Sequence, residues 1–356
     1  MIVKYQKYSM KNKYAALLNQ LRLREEEEPS SRDDRVLLID GLNTFIRSYS
    51  ATPTLNANGE HVGGISGFLA SMGSAIKTIN PTRVIIVFDG KDSSKKRRSM
   101  FPDYKANRKV KIRLNRAQSV EKEDNQLQQL VRLIDYLETL PVTVITLDGC
   151  EADDIMAYIA NQIIVPKDSH AFIMSSDKDF LQLVSNNIHV WSPTKKKLYY
   201  EDDVYSEYGI HPKNFSIFRA LVGDNSDNIP GAPGLAAKTI IKRFPKLVEE
   251  DFMSLDEFFE YAKELAEQSK IKVFHSVVDN EEDIRLYYKI MQLHETIINA
   301  ATQSNILNLM RAEGRKLSKM DFHRLLVEDG MANAIKNPEA WLREVGTKLN
   351  QFVDKL

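Results

Sequence analysis

The sequence predicts an α/β protein with a mostly parallel central sheet and flanking helices, and three observations carry that expectation. Two runs, Arg35–Asp40 (RVLLID) and Arg83–Asp89 (RVIIVFD), read as buried strands, and each closes on an aspartate followed by glycine. Residues 142–180 then read as strand, crossover helix and strand. Residues 142–147 are β-branched and apolar, Ile155, Ile159 and Ile163 share one helical face, and residues 171–174 form the next strand. A crossover of that length implies parallel strands, and open parallel sheets gather their chemistry beyond the strands' carboxyl ends. There the acids stand: Asp40, Asp89, the group Glu151, Asp153 and Asp154, and the pair Asp177 and Asp179 in SSDKDF. Any one of them is an ordinary helix cap or helix-terminal charge. Together they place carboxylates at four strand ends, where they repel one another unless protonated or holding divalent cations.

Composition narrows the function classes. The 356 residues suffice for a full α/β core and a smaller second unit. With 49 basic and 49 acidic residues the net charge is zero, so affinity for nucleic acid must come from segregated charge. Cys150 is the only cysteine, which excludes an intrachain disulfide and a cysteine-rich zinc site. No run reaches the roughly 18 apolar residues of a membrane span, and the N-terminus lacks a signal-peptide core. The expectation is a cytoplasmic protein without a membrane partner, and a monomer.

In chain order, residues 1–34 form an arm ending in the charge run EEEEPSSRDD, with a short helix expected over residues 14–23. After the second strand, residues 91–116 carry eleven Lys and Arg against two Asp, interleaved with Phe101 and Tyr104. Phosphates need positive charge and bases need flat apolar surfaces, so Arg97, Arg98 and Tyr104 are candidate nucleic-acid contacts. An amphipathic helix follows, with Leu127, Leu130, Val131, Ile134 and Leu137 as its core stripe. Beyond SSDKDF, Ile188–Ser192 and residues 197–200 read as a β-ribbon. Phe215–Val222 and residues 236–244 read as helices around GDNSDNIPGAPG, where Gly231 and Gly234 can form a backbone-amide cradle for phosphates, with Lys238 adding positive potential. Residues 250–356 read as mostly helical, with stripes at Phe252, Leu255, Phe258 and Phe259 and at Leu286, Ile290, Leu293 and Ile297 that pack against the core.

At DGLNTFIRSYSA, FDG, FPDYKANR, GCEADD, SSDKDF and GDNSDNIPGAPGLAAKT the chain resembles the 5′ nuclease superfamily, which includes flap endonucleases, the 5′–3′ exonuclease domain of bacterial DNA polymerase I, and ribonuclease H and exonucleases of bacteriophages. The resemblance runs in unbroken order over about residues 35–245 and is most like the stand-alone phage type. It implies a PIN-like nuclease core over 35–205 with a helical arch at about 91–120, a helix–three-turn–helix module over 206–249 that grips duplex DNA, and a helical region over 250–356. It implies a first metal site at Asp40, Asp89, Glu151 and Asp153 with Asp177 nearby, and a second at Asp177, Asp179, Asp224 and Asp227. Asp154 would stand behind the ligands. Lys105 and Arg108 of YKANR would act on the scissile phosphate, and Arg47 would contact phosphate.

The chemistry agrees with that resemblance. Phosphodiester hydrolysis needs an activated water, neutralised phosphoryl oxygens and a stabilised leaving alkoxide, all of which two divalent ions supply. Oxygen ligands favour two Mg2+, with Mn2+ as a substitute. The implied substrates are branched or 5′-ended DNA and RNA–DNA duplex, cut in line to leave a 5′-phosphate and a 3′-hydroxyl, with a sliding clamp or single-strand binding protein as partner. A phosphatase of the haloacid dehalogenase type would need Asp-x-Asp after its first strand, where Gly41 and Leu42 stand. A PIN-type ribonuclease would lack the glycine hairpin and the long basic insertion. A non-enzymatic junction binder would have lost acids, and none is lost.

Overall fold

The computed structural model describes residues 31–106 and 123–354. The helix expected over residues 14–23, the residue Arg108 and the later part of the basic stretch lie outside the described residues. Six strands lie in the order β3-β2-β1-β4-β5-β6: β1 Arg35–Asp40, β2 Arg83–Asp89, β3 Thr143–Leu147, β4 His170–Met174, β5 Ile188–Ser192 and β6 Lys197–Tyr199. The first five are parallel and β6 runs back against β5. The chain steps outward from β1 to β2 to β3 and then returns to the other side of β1 with β4. The order therefore reverses between β1 and β4, and the crevice beyond their carboxyl ends is where such sheets bind ligands.

Period-two alternation divides β1 between two cores. Val36 and Leu38, with Ile85 and Val87 of β2, face Ile155, Ile159 and Phe215, whereas Leu37 and Ile39, with Val84 and Ile86, face Phe45, Phe68 and Phe322. All four β1 side chains are fully buried, each worth about 2 kcal/mol by the area it removes from water. The expected stripe Ile155, Ile159 and Ile163 is buried on the first face, along the helix Ala152–Tyr158 and the wider turn Ile159–Ile164 that continues it.

The C-terminal helices cover both faces. Phe258, Phe259, Val277, Ile284 and Ile290 join the first core, and Phe322, Leu326, Trp341 and Leu342 the second. Trp341 stacks on Phe322 with ring centroids 5.4 Å apart and lies over Gly73, whose missing side chain makes the room. Phe252, expected in a packed stripe, is instead 64% exposed, because it precedes the helix Leu255–Gln268 rather than lying on it.

The helix Glu123–Glu138 also departs from expectation. Leu127 and Val131 are 62% and 60% exposed, and the buried side carries Gln129, Leu133, Tyr136 and Leu137. Gln129 turns inward because it has work for every polar atom: Oε1 accepts from Gly64 N at 2.8 Å, at the open end of the helix Gly63–Ile79, and Nε2 donates to His61 O at 2.7 Å. A satisfied polar side chain can occupy a core position, and here it rotates the helix away from its most apolar stripe.

Candidate active site

A cleft of about 940 Å³ opens at the β1–β4 crevice, lined among others by Asp40, Asp89, Glu151, Asp153, Asp177 and Asp224. Asp154 and Asp227 stand behind its wall, both buried, and Asp179 behind Arg219. Local folding places each acid. Asp40 ends β1 and caps the helix Gly41–Ala51, accepting from Asn43 N at 3.1 Å. Ser175 Oγ of the β4 end donates to Asp40 Oδ2 at 3.0 Å, and Ser176 Oγ donates to Asn43 Oδ1 at 2.7 Å, so two bonds staple the crevice. Asp89 accepts from Ala152 N at 3.0 Å, at the start of the acid-bearing helix. Asp177 caps the short helix Lys178–Leu183 by accepting from Asp179 N at 2.9 Å.

Five of these carboxylates titrate late. Burial, together with the charges of Asp89 and Asp177, pushes Asp40 up to about 7. Burial and Asp177 push Asp179 up to about 7. Burial likewise raises Glu151, Asp154 and Asp177, with Asp153 adding to all three. Asp224 runs the other way: its burial is outweighed by the Ser226 hydroxyl and Arg219, which hold it below the usual range.

Two buried arginines divide the acids. Arg97 grips both oxygens of Asp154 at 2.7 and 3.0 Å and stands 3.0 Å from Glu151 Oε2. Arg219 donates to Asp179 Oδ1 at 2.6 Å and to Asp224 Oδ2 at 2.5 Å. Arg97 is thus no nucleic-acid contact. It is 3% exposed, since three acids draw it inward. Tyr104 is no stacking platform either: it is 3% exposed and its hydroxyl donates to Glu151 Oε2 at 3.0 Å. Lys105 does line the cleft, with Nζ 2.9 Å from Glu151 Oε2. Its backbone sits in the left-handed region at φ 57°, held by a bond from its N–H to Asp227 O at 2.9 Å, a conformation of the kind found at functional sites. Arg47 is half-buried on the cleft wall, and Arg98 and Lys238 are exposed.

Sequence reasoning missed Arg219, Gln182, Ser175 and Asn43. Arg219 had a signal: a single charge inside FSIFRALV, a helix otherwise apolar except for Ser216, is almost never buried without a partner. Gly223 was also missed. It and Gly231, at φ 78° and 72°, pack backbone to backbone, and a Cβ on either would fall 2.5 Å from its neighbour's main chain. That contact closes the loop carrying Asp224 and Asp227, bridged at Asp224 and Ile229. A Cβ on Gly234 would meet nothing within 4 Å.

The donors fit hard divalent cations. They are all carboxylate oxygens, and the buried Glu151 Oε1 has no hydrogen-bond partner among the described residues. No three acids there already converge as a finished cage; they line a cleft wide enough for cations and a phosphate together.

An acid-lined crevice at the switch point of a 3-2-1-4-5-6 sheet, with lysine and arginine on its wall, defines an α/β enzyme suited to phosphodiesters. A family model described as the 5′-3′ exonuclease N-terminal, resolvase-like domain matches residues 35–209. The 5′-3′ exonuclease of Buchnera aphidicola subsp. Schizaphis graminum is 33% identical over 227 residues, 62% of this chain and 74% of that protein. The 5′-3′ exonuclease of Aquifex aeolicus is 29% identical, over 82% of this chain and 93% of its own length. The thermostable DNA polymerase I of Thermus thermophilus is 30% identical over 84% of this chain but 34% of its own length. Among solved structures, the bacteriophage T5 D15 flap endonuclease in a pseudo-enzyme–product complex with DNA and metal ions shares the fold, with a TM-score of 0.58 and 20% identity over 83% of this chain and 98% of that one. The chain belongs to the 5′-3′ exonuclease family and is a nuclease. Among the described residues no helix is long and apolar enough to cross a membrane.

Proposed function

We propose that this nuclease is structure-specific, cutting 5′ flaps and 5′ ends of DNA and of RNA–DNA duplex with the help of two divalent cations, Mg2+ or Mn2+. The observation that carries the reading is the convergence of acids from four strand ends on one cleft that also holds Lys105. Asp40, Asp89, Glu151 and Asp153 would hold one cation. Asp177 and Asp224, with Asp179 and Asp227 behind them, would hold the other. When bound, the cations supply an activated water, neutralise the phosphoryl oxygens and stabilise the departing alkoxide.

The chain's own residues do the rest. Lys105 and Arg47 meet non-bridging phosphate oxygens, joined by Arg108 from outside the described residues. Leu42, Ile46 and Phe180 give the cleft an apolar wall that keeps bulk water from the reacting centre and so strengthens every charge contact within it. Arg98, exposed at the base of the basic stretch, faces the single strand, and the cytoplasm is the compartment this chemistry suits. Residues 206–249 act as the duplex-gripping helix–three-turn–helix module, in which open space at Gly234 admits a phosphate and exposed Lys238 adds charge. The T5 D15 complex with DNA and metal ions supports this assignment through its shared fold. The test is incubation with a 5′-flapped duplex and, separately, a chromogenic phosphomonoester, each with Mg2+ and with chelator. Cleavage of the flap alone, and only with Mg2+, is expected; phosphomonoester turnover, or flap cleavage in chelator, would overturn the reading.

A further inference from the structure

The carboxyl end of the helix Glu281–Met291, in the part of the chain that no motif covers, reaches both groups of acids through two buried side chains. Arg97 Nε donates to Ile290 O at 2.8 Å while the other end of its guanidinium holds Asp154 and stands beside Glu151. Gln182, 2% exposed, mirrors it on the other side. Its Nε2 donates to Asp179 O at 2.8 Å and to Met291 O at 3.0 Å, and its Oε1 accepts from Leu293 N at 2.8 Å. No buried polar atom of either side chain lacks a partner. Burying a guanidinium and a carboxamide is costly unless every donor is used. Here the donors are spent on joining one short stretch of backbone to the two acid-bearing loops.

Ile290 and Met291 are consecutive, so their carbonyls belong to adjacent, individually planar peptide units of one helix end. We propose that Arg97 and Gln182 are positioning residues, through which this helix end sets the separation of the Glu151–Asp153–Asp154 group from the Asp177–Asp179 loop. The inference rests on the reading of these acids as cation ligands. Neither side chain touches substrate; each acts through the acids it orients. The C-terminal region is then part of the active-site scaffold as well as a cover for the core.

The test is Mn2+ titration of the full chain without DNA, by calorimetry, for wild type, Gln182→Leu and the control Gln292→Leu. Gln292 is buried one residue beyond Met291, but its carboxamide bonds only to the backbone of Glu295 in its own turn. Loss of a hydrogen bond to a ligating group typically weakens metal affinity about 10- to 100-fold, and because Gln182 holds the main chain of Asp179 rather than its carboxylate, the lower end of that range applies. Gln182→Leu is therefore expected to weaken one class of Mn2+ site by at least about tenfold and to raise the Mn2+ needed for half-maximal flap cleavage by the same factor, with flap-duplex affinity within a few-fold. Gln292→Leu is expected to lower thermal stability comparably and leave Mn2+ affinity unchanged. A folded Gln182→Leu with wild-type Mn2+ affinity overturns the inference and leaves the cation reading standing. Wild type that takes up no Mn2+ overturns the cation reading, and this inference with it. Should Gln182→Leu not fold, the uncharged Gln182→Met, of similar length, removes the donors to Asp179 O and Met291 O without adding a charge, and it is judged by the same outcomes.

Discussion

Asp40 is expected to lower the stability of the cation-free protein, and replacing it should make the folded chain more stable while it destroys activity. In the unfolded chain an aspartate ionises near 3.8; in the fold, burial with Asp89 and Asp177 holds the Asp40 proton up to about 7. Between those values the native state binds a proton that the unfolded state has lost, so the contribution of Asp40 to stability falls as pH rises through that window and is level above it. One pH unit of such a difference is worth about 1.4 kcal/mol, so the interval from about pH 5.5 to 7 costs about 2 kcal/mol. The whole window costs on the order of 4 kcal/mol. Asparagine caps a helix as well as aspartate does, so Asp40→Asn keeps the bond from Asn43 N and removes the ionisation, while its Nδ2 replaces the Oδ2 acceptor and donates to the Ser175 hydroxyl instead. His189 works in the opposite direction, since burial lowers it to about 3 and the unfolded chain takes up its proton first as pH falls. The readout is therefore the difference between variant and wild type, in which His189 cancels. Urea unfolding in chelator should show Asp40→Asn more stable by roughly 2–4 kcal/mol at pH 8, with the gap closing toward pH 4.5. A variant less stable than wild type at pH 8, or a gap independent of pH, would refute the electrostatic account of the cleft.

Arg219→Met should destabilise the cation-free chain by about 3–5 kcal/mol in the same unfolding assay, because it strands Asp179 in the interior and leaves Asp224 with only Ser226. Lys105→Ala should lower the single-turnover rate by about 10²-fold, or about 2.7 kcal/mol, with little loss of flap affinity. Lys238→Ala should leave that rate intact and shallow the salt dependence of duplex binding by about one counterion. Gly231→Val should unfold more easily, since its Cβ would meet the Val222 main chain at 2.5 Å, whereas Gly234→Val, at φ 79° but with nothing within 4 Å, should cost only backbone strain of about 1–3 kcal/mol, fold, and lose duplex affinity in a binding isotherm.

The strands were legible because a sheet covered on both faces writes itself as unbroken apolar runs, and the expected strands agree with the structure to within a residue at each end. Asp40 and Asp89 were legible because each closes such a run, and the Glu151 and Asp177 groups because each follows one after a short turn, whereas Asp224 and Asp227 follow the helix Phe215–Val222 and were legible from the motif around them. What the sequence hides is the direction in which a polar side chain points. Gln129 and Gln182 look like surface residues and are core residues, each satisfied by backbone groups far along the chain. Arg97 and Tyr104 stand in a run of cations that reads as a nucleic-acid surface, yet the acid group on the helix Ala152–Tyr158 and its cap Glu151 pull both inward. Pairings of that kind depend on which elements meet in three dimensions, and local pattern carries no record of it.

The arrangement of charge in the cleft explains how so many acids can be held in one fold. Arg97 compensates Glu151, Asp153 and Asp154, and Arg219 compensates Asp179 and Asp224. Burial acts most strongly on Asp40, ahead of the opposing Asn43 amide; Asp89 and Asp177 add to it, and only that amide and the Ser175 hydroxyl favour its charge among the main contributions. No arginine is among the main influences on Asp40, so the uncompensated charge concentrates at the β1–β4 crevice. A monovalent side chain placed there would neutralise the site permanently, whereas protonation near neutral pH leaves it open. A mobile divalent cation gains most where fixed compensation is least, so the fold spends its arginines on holding the flanking acids in place and leaves the switch point to whatever cation arrives.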